Sequence, residues 1–159
     1  MYDPALHIVL YQPEIPYNAG AVGRTCVAVG AKLWLVRPLG FRIDNRYMRR
    51  AGLDYWPHLV WEVADHWDAL LQRLPDRRPW FFSKSAETRY TDVEFQRGDV
   101  LVFGSESAGL PRTMVEGYPD RALRIPIRPE TRSLNLSVSV GIIAFEARRQ
   151  WEAKEKQEP

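Results

Sequence analysis

At 159 residues, with 45% apolar and 26% charged side chains, the chain is the size of one soluble domain able to bury a core without staples. Its single cysteine, Cys26, excludes an internal disulfide and a cysteine-cluster metal site, and fits a reducing compartment. No stretch approaches the roughly 18 apolar residues that span a bilayer, and MYDPALHIVLYQPE lacks the basic start of a secretory signal, so a cytoplasmic protein with no membrane or metal partner is expected.

In chain order, LHIVLY (6–11) reads as a buried strand ended by Pro13 and Pro16. NAGAVGRTCVAVG follows as a helix, with Asn18 as N-cap and Gly30 as its stop. KLWLVRP (32–38) is a second strand, and LVWEV (59–63) a third beyond a polar, Arg-rich segment. DHWDALLQRL has Trp67, Leu70, Leu71 and Leu74 at helical spacing after Asp65 as cap. PWFFSKSA and GDVLVFGSE are strands four and five. LPRTMVEGYP is a short helix with Pro111 in its first turn, and ALRIPI (122–127) is a sixth strand. SLNLSVSVGIIAFEAR opens a final helix whose charged tail frays from about residue 152. Continuous apolar strands alternating with helices predict one α/β domain over 1–159, a mostly parallel sheet covered on both faces.

Ligands of such sheets bind beyond the carboxyl ends of the strands, so the post-strand loops carry the functional signal. The first contains NAGAVGRT, in which neither the dinucleotide fingerprint nor the P-loop pattern is complete. Arg24 stands among small residues there, either facing solvent or serving a site. VFGSESAGLP brackets Glu106 with Gly104 and Gly109, giving either a tight turn with an exposed acid or a carboxylate that orders a ligand or cation. IPIRPETRSLNLS delivers alternating Ser133, Asn135, Ser137 and Ser139 to a helix start, as caps or as hydroxyls and an amide facing a site. Leu134, Val138, Ile142 and Phe145 form another face of that helix, fit for a core or a partner. His7, His58 and His66 read as structural, and Cys26 as core.

Net charge is only +2, yet arginine outnumbers lysine 18 to 4. GFRIDNRYMRRAGLDYW interleaves Arg42, Arg46, Arg49 and Arg50 with Phe41, Tyr47, Tyr55 and Trp56. Such mixing suits RNA phosphates and stacked bases, and equally a solvated helix face.

Taken together, IVLYQPEIPYNAGAVGRTC, GFRIDNRYMRRAGLDYW, VFGSESAGLP and RIPIRPETRSLNLSVSV resemble the SPOUT RNA methyltransferases over nearly the whole chain. PEIPYNAG and RRAGLDYW are similar to the small members that 2′-O-methylate the cytidine or uridine at the tRNA wobble position. The resemblance implies a C-terminal deep trefoil knot, which no pattern argument would predict, and a homodimer formed through that region. It implies S-adenosylmethionine bent in the knot loops against Phe82, Gly104, Ile125, Ser133 and Leu134. It makes Asn18, Arg24, Glu106, Ser133 and Asn135 the catalytic set, with Arg24 activating the ribose hydroxyl while Glu106 and Asn18 hold it. Arg42, Arg46, Arg49 and Arg50 become the tRNA contacts, joined by Arg128 and Arg132. Phe145 departs from the pattern, since related enzymes carry Tyr on this helix face. Methylation of another tRNA or rRNA position, or RNA binding without catalysis, are the rival readings.

Overall fold

Alternate residues of the first strand face two different cores, and that alternation sets the architecture. In the computed structural model, which describes residues 3–44, 46 and 54–158, the strands are β1 (Leu6–Tyr11), β2 (Ala31–Val36), β3 (Trp61–Ala64), β4 (Trp80–Phe82), β5 (Thr88–Arg89), β6 (Val100–Phe103) and β7 (Ala122–Arg124). The α-helices with described bounds are α1 (Pro16–Val29), α2 (Trp67–Arg73), α3 (Arg112–Glu116) and α4 (Leu136–Glu155). One sheet runs in the order β3-β2-β1-β6-β4-β7-β5, and every strand pairing in it is parallel.

Leu6, Ile8 and Leu10 of β1 point to one face, where Val22, Cys26 and Val29 of α1 and Val140, Ile143 and Ala147 of α4 cover them. Val9 points to the other, with Trp34, Phe81 and Val102, under Leu70 of α2 and Met114 of α3. Two covered faces are why the strands read as unbroken apolar runs instead of alternating ones. Cys26 is fully buried in this core, and burial raises its thiol's pKa. The polar partner Trp34 Nε1 donates to buried His7 Nδ1 at 3.1 Å.

Several boundaries differ from the sequence reading, each for a local reason. The cap of α1 is Ile15, because Pro16 occupies the first turn, and Asn18 is buried inside the helix. Gly30 does stop α1, in the left-handed region at φ 78°, which glycine adopts without strain. The second strand ends at Val36, two residues short, and the third spans Trp61–Ala64 instead of 59–63. The cap of α2 is His66, not Asp65: its side chain accepts from the Ala69 N–H at 3.1 Å. Pro111 is the cap of α3 rather than part of its first turn. The strand read over 122–127 ends at Arg124, before Pro126, and the two-residue β5 pairs with it outside any apolar run. Finally α4 persists through Glu155, where Trp151 is buried and Arg97 pairs with Glu155 at 2.7 Å.

Candidate active site

The sheet order places the site. From β1 the chain proceeds outward one way through β2 and β3, while β6, β4 and β7 lie on the other side. The connection after β1 enters α1 on one face, and that after β6 enters α3 on the opposite face. The carboxyl ends of β1 and β6 therefore open a crevice at a topological switch point, where doubly wound sheets bind ligands.

Glu106 spans that crevice. Its carboxylate accepts the backbone N–H groups of Glu14 at 3.0 Å and Ile15 at 2.5 Å, and the Asn18 amide at 3.5 Å. Ile15 has no capping side chain of its own, and a carboxylate 91 residues away accepts from its N–H and from that of Glu14, placing negative charge at the start of α1. Glu14 reciprocates: its carboxylate accepts the Ser107 N–H at 2.9 Å and the Ser107 hydroxyl at 2.5 Å. The Ser107 hydroxyl, with its N–H, holds the Glu14 carboxyl below the usual carboxylate range. Behind this latch the Gly40 N–H donates to Pro13 at 2.9 Å, and a side chain at Gly40 would lie 2.7 Å from Glu14 backbone.

The web continues to the last helix. Asn135 Nδ2 donates to Asn18 Oδ1 at 3.1 Å, and Asn135 Oδ1 caps α4 through the Ser137 N–H at 2.8 Å and hydroxyl at 2.5 Å. Asn135, rather than Ser133, is thus the cap. Ser137 serves that cap, while Ser133 is exposed beside the half-buried Leu134. The amide orientations follow from chemistry: Glu106 only accepts, so Asn18 turns its NH₂ to it and its oxygen to Asn135.

Arg24 stands apart. Six residues beyond Asn18, it lies about 240° further round the helix and is exposed, with its guanidinium 4.4 Å from the Tyr55 ring centroid. Glu106 and Asn18 bond to each other and to the helix start, so the expected support of Arg24 by these two is replaced by a cation–π contact. Sequence reading missed Glu14 and Ser107, of which Glu14 carries a signal as the acid of a loop following a buried strand. Tyr55 stands out in the sequence as an aromatic among arginines, but not as the partner of Arg24.

The other loops converge on the same end of the sheet. Phe82 stacks on Phe103, ring centroids 4.6 Å apart and planes 8° from parallel. Gly104 has no room for a side chain, since a Cβ would sit 2.1 Å from the Gly109 carbonyl carbon. From Pro126 to Leu134 the one backbone–backbone bond among the described residues runs from the Thr131 N–H to Arg128. Ile125 opens that loop. Arg42 is exposed and, with Arg37, Phe41 and Asp65, lines a separate cleft of about 590 Å³ near the end of β2. Arg46 is exposed, as are Arg128 and Arg132, whereas Arg49 and Arg50 lie outside the described residues. Among the described residues no group of three or more His, Cys, Asp or Glu could hold a metal ion, and no helix is long and apolar enough to cross a membrane.

A parallel α/β fold whose post-strand loops converge at its switch point defines a ligand-binding α/β protein. The chain belongs to the SpoU rRNA Methylase family, whose model matches residues 5–145. It is 42% identical over 144 residues to the tRNA (cytidine(34)-2′-O)-methyltransferase of Methylovorus glucosotrophus, covering 90% of this chain and 94% of that one. It is similar to a solved structure that gives insight into the 2-OH methylation of C/U34 on tRNA, with TM-score 0.89, 48% identity, and 93% and 97% of the two chains covered. It also matches the AdoMet-bound rRNA methyltransferase from Sinorhizobium meliloti at TM-score 0.81 and 26% identity, over 92% of this chain and 57% of that one.

Proposed function

We infer that this protein transfers a methyl group from S-adenosylmethionine to the ribose 2′-oxygen of the wobble nucleotide, position 34, of tRNA. The relative and the solved structure just described support the reaction and the position. The observation that carries it to this chain is the Asn135–Asn18–Glu106 web, which ties segments 117 and 88 residues apart to one crevice.

The loops fit a nucleoside-bearing cofactor. Phe82 on Phe103 gives an apolar wall, Gly104 leaves only backbone at its loop, and the sparsely bonded stretch from Ile125 to Leu134 leaves N–H and C=O groups for an adenine edge. Phe82, Gly104, Ile125, Ser133 and Leu134 would hold the cofactor, in loops that we place in the trefoil knot of this family. When bound, it supplies an electrophilic methyl on a sulfonium. Arg24, levelled on Tyr55, stabilises the negative charge that develops on the ribose oxygen as its proton leaves to water. A guanidinium is no proton acceptor near neutrality, which assigns Arg24 to charge stabilisation. Glu106, Asn18 and Asn135 act one step back, fixing the start of α1 and of α4. Ser133, exposed at the same helix start, faces the substrate. Arg42, Arg46, Arg128 and Arg132, with Arg49 and Arg50, contact tRNA phosphates, so binding falls steeply with salt.

A second copy completes the working unit. Ile15 and Tyr17 at the start of α1, and Val138 and Phe145 along α4, are large apolar side chains about half exposed on adjacent helices. That face, adjoining the C-terminal loops, is the homodimer surface. The cytoplasm, where tRNA is modified, is the expected location.

The test is transfer of labelled methyl to total tRNA followed by nuclease mapping, on wild type and Arg24→Ala. Label at the 2′-oxygen of nucleotide 34 is expected, lost in Arg24→Ala with cofactor binding unchanged. Label elsewhere in tRNA or in rRNA keeps the chemistry and overturns the position. Stoichiometric RNA binding with no label makes the protein a non-catalytic binder, and near-normal turnover of Arg24→Ala removes its role.

A further inference from the structure

One buried side-chain polar atom among the described residues has no hydrogen-bond partner within the fold: Arg124 Nε. A buried donor left unpaired is costly, the more so when it belongs to a charged group, so its persistence calls for an acceptor from outside the fold. Its surroundings define what that acceptor is. Arg124 ends β7, the last residue before Ile125 and the open loop. Its register partner on β5 is Arg89, so the two guanidinium stems leave the same face of the sheet from strands about 4.8 Å apart. Like charges directly opposite each other destabilise a sheet. Among the described residues neither arginine makes an ion pair with a carboxylate, although Glu87 and Asp92 flank Arg89 in sequence. On the other side of β7, Phe82 pairs with Leu123, which brings Ser83 alongside Arg124, and the Ser83 N–H bonds Leu123 at 2.9 Å. Phe82 in turn pairs with Phe103, which sets Gly104 beyond Ser83 in the same row.

We propose that Arg89 and Arg124 form an oxyanion-binding site at the carboxyl edge of the sheet, in one row with Ser83 and Gly104. It deepens the methyltransferase reading and rests on it for the identity of the anion, which is either a phosphate of the bound RNA or the carboxylate of the methyl donor. Two arginines on a fixed strand pair offer a fork geometry for either group. Arg124 supplies the buried donor, and Arg89 the exposed charge that admits the anion from solvent.

The probes are inorganic phosphate, S-adenosylhomocysteine and a tRNA transcript, with wild type, Arg89→Gln and Arg124→Gln. Arg89 is exposed on an edge strand, so its variant keeps the test alive if Arg124→Gln does not fold. Phosphate is expected to raise the melting temperature of wild type and to lose that effect in either variant, whether or not the protein methylates tRNA. If the donor carboxylate is the natural anion, S-adenosylhomocysteine affinity falls about tenfold or more in the variants, with the RNA salt slope unchanged. If an RNA phosphate is, that slope drops by about one per arginine removed and S-adenosylhomocysteine binds as before. Equal phosphate stabilisation in wild type and Arg89→Gln, with both ligands bound alike, overturns the site.

Discussion

Glu106→Ala deletes the acceptor of three donors at once, and its cost can be built from the geometry. Two of those donors are the backbone N–H groups of Glu14 and Ile15, and the third is the Asn18 amide at the longer distance of 3.5 Å. The helix they begin has no capping side chain of its own and no acid in its first turn. Losing a hydrogen bond costs about 0.5–1.5 kcal/mol, and losing a negative charge at a helix start about 0.3–1 kcal/mol. The two overlap, and the bonds lie near solvent, so the lower part of their sum applies: about 1–2 kcal/mol. At this chain length that corresponds to about 3–6 °C in melting temperature.

Urea and thermal unfolding followed by circular dichroism measure the loss. The mechanism is tested by its neighbour: Asn18→Ala costs less, because Glu106 keeps both backbone donors. The double variant should fall short of the sum, by about 0.5 kcal/mol or more, since the two residues share one network. Strict additivity, or a Glu106→Ala midpoint within error of wild type, would refute the carboxylate as the anchor of the start of α1. Glu106→Gln separates charge from shape, because its amide must turn an NH₂ toward one of the donors it now faces.

The remaining predictions concern titration and assembly. His7 is buried, and desolvation first, then Arg77 and Lys32, lowers its pKa from 6.5 to about 4. The unfolded chain therefore takes up a proton that the folded chain refuses between those values, so stability is complete above pH 6.5 and is lost on acidification toward pH 4, by at most about 3 kcal/mol. Urea midpoints at pH 7, 5.5 and 4.5 should converge in His7→Gln, which keeps an acceptor for Trp34; an unchanged slope in the variant would assign the acid sensitivity elsewhere. Val138→Glu with Phe145→Glu places charge on two half-exposed apolar positions, 50% and 48% accessible, and should halve the mass in sedimentation equilibrium without lowering the monomer's helix content. An unchanged mass would move the dimer face off α4.

What the sequence made legible was whatever depends on neighbours in the chain. The strand runs LHIVLY and VLVF announce themselves because both of their faces are buried, and Gly30 announces a helix end because φ 78° is cheap only for glycine. The site loops were legible as loops, since parallel topology alone puts them at one end of the sheet. What stayed hidden depends on pairings across the fold. The start of α1 is held by Glu106 from across the fold, while Asn18, the cap the sequence suggests, is buried inside the helix. The cation–π partner of Arg24 lies 31 positions away, and β5 is too short to carry a pattern. The arginine pair on β5 and β7 exists only through register, which periodicity cannot supply. Leu134, Val138, Ile142 and Phe145 could serve a core or a partner on sequence alone. The structure buries Leu136, Val140, Ile143, Ala144 and Ala147 instead, leaving Val138 and Phe145 outward.

The polar web also ties the starts of the two helices to one another. A carboxylate at one end dictates the orientation of Asn18, which dictates that of Asn135, whose remaining oxygen must then cap α4. Each link closes over a long stretch of chain, 88 residues for the first and 117 for the second. The β1–β6 pairing of the sheet itself closes a comparable stretch, His7 with Val100. The starts of α1 and α4 are thus positioned together, through Asn18 and Asn135. A variant that loosens this link, Asn135→Ala foremost, should leave the strands intact by circular dichroism while displacing Asn18 and, through the helix, Arg24. Its signature is a loss of turnover larger than its loss of stability, the reverse of what a core substitution such as Ile143→Val would give.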